Sequence, residues 1–113
     1  MQEFKYIVRR SVFIPESITV AGMEFRVNAD EDEYTMDDGK YYPPKIEYDG
    51  DIPVSDDEFR WFNLTIEYHK IKEQFYCCLM IDGEKIVEDT VCSDDVSRTI
   101  DRFVETAEDL LRV

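Results

Sequence analysis

The sequence predicts an α+β fold, an antiparallel β-sheet of about five to six strands packed against one C-terminal α-helix over about 94–112. Three observations carry this. Phe62, Leu64, Ile66 and Tyr68 alternate with Asn63, Thr65, Glu67 and His69, the period of a half-buried strand. Asp82-Gly83 stands between two apolar runs, a strong short-range hairpin signal. From Val96 onward the period becomes helical, with Ile100, Phe103, Ala107, Leu110 and Leu111 completing one stripe.

Taken in order, Phe4, Tyr6 and Val8 alternate with Lys5, Ile7 and Arg9 as a first strand, and Pro15 ends that region. Ile18 and Val20 run into Ala21-Gly22, after which Met23, Phe25 and Val27 alternate with Glu24 and Arg26, so a hairpin is expected there. A meander follows at 62–91. Its first strand is the alternation above, its second is the apolar run Phe75–Ile81, read as a central strand buried on both faces, and its third is Lys85–Val91. Ser93 is placed to cap the helix, with Asp94 and Asp95 where its dipole favours negative charge.

Residues 28–58 are different in kind. Asp38-Gly39, Pro43-Pro44, Asp49-Gly50 and Asp56-Asp57 punctuate them as turns and loops. Yet Tyr34, Met36, Tyr41, Tyr42, Ile46, Tyr48, Ile52 and Val54 recur through the stretch, more apolar material than disorder carries. The reading is a single domain over 1–113 with an acidic, tyrosine-rich loop and edge-strand segment at 28–58, holding one or two short edge strands around Tyr34 and Ile46.

Charge is concentrated in that segment. The chain of 113 residues has 27 acidic and 13 basic side chains, a formal net charge of −14. Residues 28–58 hold twelve of the acids against Lys40 and Lys45 alone. Direct binding to a nucleic-acid backbone is disfavoured, because it needs clustered Lys and Arg. No window approaches the ~20 apolar residues of a membrane span, and the charged N-terminal residues do not suit a signal peptide. Cys77, Cys78 and Cys92 form no disulfide framework and read as packing thiols, so a cytoplasmic protein is expected.

Catalytic chemistry finds little purchase. His69 is the only histidine and lies on the polar face near a turn, and no motif pairs it with a cysteine or serine. Four glycines are scattered singly, without a phosphate-binding loop. Asn28, Asp30 and Asp32 begin like a calcium loop, but Glu33 then stands where Gly is required and Gly39 where a bidentate Glu is required. No spaced Cys/His set suggests zinc. No enzyme activity, cofactor or dedicated metal site is expected.

The charge itself is the remaining signal. Asp30, Glu31, Asp32, Glu33, Asp37 and Asp38 form one cluster, with Tyr34, Tyr41 and Tyr42 as apolar anchors, and Asp49, Asp51, Asp56, Asp57 and Glu58 form a second. Carboxylates on a folded surface can imitate a phosphate track and meet a basic groove with strong electrostatic steering. These residues imply a small non-catalytic inhibitor that binds the basic surface of a nucleic-acid enzyme or nuclease. Its type would be a nucleic-acid mimic such as a phage anti-CRISPR or anti-restriction protein. The alternatives are an immunity protein against a bacterial toxin nuclease, or a structural or adaptor domain that self-associates as a homodimer. An acidic surface that is merely solvated needs no partner at all.

Overall fold

The structure, a computed structural model, describes residues 1–7, 10–30, 34–35 and 37–111, with Ile7, Asp30, Tyr34, Thr35, Tyr41 and Tyr42 described by their backbone alone. Two hairpins open the chain. β1 (Gln2–Ile7) pairs with β2 (Arg10–Ile14), and β3 (Ser17–Val20) pairs with β4 (Met23–Arg26). The expected first strand is therefore followed by a second one before Pro15. Ala21 and Gly22 turn the β3–β4 hairpin with φ of 49° and 83°, the positive values a two-residue turn of matching twist demands.

The main sheet has five strands in the order β11-β10-β9-β8-β5, all antiparallel. They are β5 (Asn28–Asp30), β8 (Lys45–Pro53), β9 (Phe59–His69), β10 (Gln74–Ile81) and β11 (Glu84–Val91). Between β5 and β8, the two-residue strands β6 (Tyr34–Thr35) and β7 (Tyr41–Tyr42) pair with each other. The expected meander is thus β9-β10-β11, with Asp82 and Gly83 at φ of 55° and 78° in its second turn.

β8 departs from the expectation of a short edge strand around Ile46. It runs for nine residues and is paired on both sides, to β9 along its whole length and to β5 at its start. Gly50 lies inside it opposite Phe62 and does not turn the chain. The Phe25 ring occupies the space a side chain would need: a Cβ at Gly50 would lie 2.5 Å from a Phe25 ring carbon.

One face of the sheet carries the core. Ile46, Tyr48 and Ile52 from β8, Phe62, Leu64, Ile66 and Tyr68 from β9, and Phe75, Cys77, Leu79 and Ile81 from β10 are all buried. The helix α1 (Val96–Leu111) and both N-terminal hairpins cover this face. α1 buries Val96, Ile100, Phe103, Ala107 and Leu111 against β10, β11, β2 and β3. The Tyr6 ring packs on Tyr68 and Phe75, and the Phe25 ring stacks on Phe62 at 5.1 Å. Tyr48 is fully buried and donates its hydroxyl to the Pro15 carbonyl at 2.6 Å, tying β8 to the segment between the hairpins.

Two local expectations are corrected. Ser93 does not cap α1; it opens a 3-10 turn (Ser93–Asp95) whose preceding residue, Cys92, makes no side-chain capping bond. β10 is less symmetric than a strand buried on both faces: Cys78 is buried on the second face, but Tyr76 and Met80 beside it are only half-buried. Of the three thiols, Cys77 and Cys78 are packed as expected, whereas Cys92 is exposed.

Candidate functional site

The second face of the sheet follows directly from strand periodicity. Along β8, Ile46, Tyr48, Gly50 and Ile52 face the core, so Lys45, Glu47, Asp49 and Asp51 face outward. Same-face residues on a strand stand ~6.8 Å apart. Glu47, Asp49 and Asp51 are therefore a row of carboxylates on one strand, held by β9 along its whole length and by β5 as far as Glu47. Burial pushes the Asp49 carboxyl above its ordinary range, Glu47 adds to this by repulsion, and Lys45 partly opposes it. Glu47 is held in place by Asn63, whose Nδ2 donates to it, while the Thr65 hydroxyl donates to Asn63 Oδ1 at 2.6 Å.

β9 brings aromatic side chains to the same face. Counting back from Asn63, Trp61 and Phe59 point outward, paired across the ladder with Asp51 and Pro53. Trp61 is 41% exposed and Phe59 62%. Large aromatics on an uncovered sheet face are the kind of exposed apolar surface that marks an interaction site. Their backbone is well held. The Trp61 N–H donates to Asp82 Oδ1 at 2.9 Å, and the Arg60 guanidinium pairs with the other oxygen of the same carboxylate. Those two partners, the Trp61 amide first, hold the Asp82 carboxyl below its ordinary range.

The connection from β8 to β9 completes the patch. Val54 N–H donates to the Glu58 carbonyl at 2.9 Å, and Glu58 N–H donates to Ser55 Oγ at 3.2 Å. This tight loop exposes Asp56, Asp57 and Glu58 beside Phe59. Among the described residues, Asp51, Asp56, Asp57 and Glu58 take no basic side chain as an ion-pair partner.

The two acidic clusters read from the sequence fare differently. Asp49, Asp51, Asp56, Asp57 and Glu58 are brought together with Phe59 and Trp61 at one end of the open face. Asp30 ends β5 opposite Lys45, six residues along β8 from Asp51 and so ~20 Å away. Glu31, Asp32 and Glu33 lie outside the described residues. Tyr34 is paired with Tyr42, and Tyr41 with Thr35, in the small β6–β7 ladder. Asp37 and Asp38 are exposed in its turn, where Asp38 Oδ1 accepts the Lys40 N–H at 2.9 Å.

Sequence reasoning counted Glu47 among the acids of the segment but left it, with Phe59 and Trp61, out of the candidate site. The signal was present in the alternation itself: continued two steps before Asn63, the polar face of β9 acquires a tryptophan and a phenylalanine. Two large aromatics adjacent on a polar face form a patch, which is more informative than a single exposed apolar residue.

Among the described residues, the other groups with chemical potential stand apart from one another. His69 is exposed, stacks on Tyr76 at 5.9 Å and lies 3.6 Å from Glu67. Burial pushes the Cys77 thiol up to about 12, which keeps it un-ionised and inert. A groove of about 350 Å³ between β11 and α1 is lined by charges that already pair, Arg98 with Asp95 at 2.8 Å and Arg102 with Asp89 at 2.7 Å. Among the described residues, no three His, Cys, Asp or Glu side chains are placed to hold a metal ion. No helix among them is long and apolar enough to cross a membrane.

No protein-family model matches the chain, and no curated protein or solved structure matches it.

Proposed function

We propose that this protein is a small acidic, non-catalytic inhibitor that binds the basic surface of a nucleic-acid enzyme, acting in the cytoplasm as a nucleic-acid mimic of the phage anti-CRISPR or anti-restriction kind. The observation that carries the reading is the continuity of the Glu47-Asp49-Asp51 row with the exposed Phe59 and Trp61 on the sheet face opposite the helix and the N-terminal hairpins. A net charge of −14 steers such a face toward a basic groove, and the aromatic side chains supply apolar contact once charge has brought the surfaces together. Presenting the carboxylates from paired strands avoids the ordering cost that a flexible acidic tail pays on binding. A nuclease toxin would offer the same surface chemistry, so an immunity protein is the nearest variant of this reading. Self-association through the open face is disfavoured, because two copies would bring like-charged rows together.

The test is capture from a lysate of the native host, with elution by competing DNA or RNA. The reading predicts a nucleic-acid enzyme that competitor displaces and whose activity the purified protein inhibits. Capture of the same proteins by the native chain and by a variant with Asn at 49, 51, 56 and 57 would contradict it.

A further inference from the structure

We infer that Trp61, Phe59 and Asp51 form an arginine-binding site, so that the partner's contact residue is an arginine and not a lysine; this rests on the reading of the open face as a protein-binding surface. Trp61 and Phe59 stand on the same side of β9, and Asp51 is the cross-strand neighbour of Trp61. A guanidinium laid on the exposed indole is attracted by the ring face, and its fork of N–H donors matches a carboxylate at the ring's edge. An ammonium is a compact, strongly hydrated point charge and makes neither planar contact.

Three features make the site ready for a cation from outside. Asp51 has no ion-pair partner among the described residues. The nearest base in sequence, Arg60, is engaged with Asp82. The platform is held on both sides, since Phe59 and Trp61 pair with β8, the Trp61 N–H donates to Asp82 Oδ1, and the Trp61 carbonyl accepts the Asp82 N–H at 2.9 Å. Exposed aromatics could also stack on the bases of a single strand, but such platforms sit in basic grooves that follow the phosphates. Here Asp51 lies across the ladder from Trp61, exposed Asp56, Asp57 and Glu58 immediately precede Phe59, and these carboxylates would repel that backbone.

Trp61 is the only tryptophan, so its emission reports on this site alone. The native protein is titrated with oligo-arginine and oligo-lysine peptides of equal length, and with a single-stranded oligonucleotide, at low salt. Oligo-arginine is expected to change the Trp61 emission and to bind about 2- to 5-fold tighter than oligo-lysine, the size of an exposed cation–π contact. In W61L, read by calorimetry, that preference disappears, and D51N weakens arginine binding while circular dichroism shows an unchanged fold. Equal binding of both peptides with unchanged emission overturns the arginine site but leaves the acidic face as a cation-binding surface. Failure of both peptides to bind removes both readings. A response to the oligonucleotide in place of the peptides overturns the site as well.

Discussion

Asp51 and Trp61 are direct neighbours across the β8–β9 ladder, both on the side of the sheet that the helix and the N-terminal hairpins leave uncovered. Their adjacency joins a carboxylate row to an exposed aromatic pair, and the functional account depends on that junction. The Trp61 amide is in turn tied to Asp82, so the stability of the site is linked to the ionisation of a carboxylate.

That link has a definite sign. Asp82 is held below its ordinary value of 3.8, so its contribution is present above that value and is lost as pH falls through the lower folded-state value. D82N is expected to melt below the native protein at neutral pH, with the gap narrowing below about pH 4. Thermal melts recorded by circular dichroism from pH 7 to pH 2 measure this.

Asp49 runs the opposite way. Its carboxyl is raised above 3.8, so the ionised form opposes folding at neutral pH and protonation relieves the opposition. D49N is therefore expected to melt above the native protein at pH 7, with the difference vanishing as pH falls to about 4 and below. The same melts check it, and a D49N protein less stable than the native one at pH 7 would refute the electrostatic account of the row.

Gly50 is required by packing. A Cβ there would meet Phe25 ring carbons at 2.5 and 2.9 Å, inside the core and against a ring already stacked on Phe62. G50A is expected to cost about 1–3 kcal/mol, as overpacking does. Denaturant unfolding measures the loss, and adding F25L should recover part of it because the two sites share one space.

The Tyr48 hydroxyl is the polar link from β8 to Pro15. Y48F keeps the ring but leaves the Pro15 carbonyl without this donor, at an expected cost of about 1–2 kcal/mol. The m-value of urea unfolding should stay unchanged while the midpoint falls.

These two positions also show where the sequence was opaque. The meander and the helix were legible because each has one apolar face, giving periods of two and 3.6. β8 was not, because Asp49-Gly50 has the composition of a turn, and only the Phe25 ring lying over Gly50 reveals that the glycine makes room for a side chain. β2 was hidden by Arg9, Arg10 and Ser11, consecutive polar residues that interrupt the apolar alternation of the sequence before Val12. In the candidate site the acids at 49, 51 and 56–58 were legible from charge alone. Phe59 and Trp61 were not picked out, since surface aromatics gain meaning only when no element is found covering them.

The three cysteines are expected to differ in reactivity. Cys92 is exposed and should be modified by an alkylating reagent in the folded protein, whereas buried Cys77 and Cys78 should react only after unfolding. Mass spectrometry of the native and denatured protein checks this.

If the open face is the recognition surface, binding depends on where charge is lost and not only on how much. Two variants with equal loss of charge test it: E47Q/D49N/D51N on the open face, and E84Q/D101N/E105Q on exposed positions elsewhere. Affinity for the captured enzyme is measured for both at the same salt concentration. The open-face variant is expected to lose binding while the other stays close to the native value. Equal weakening of the two would contradict it.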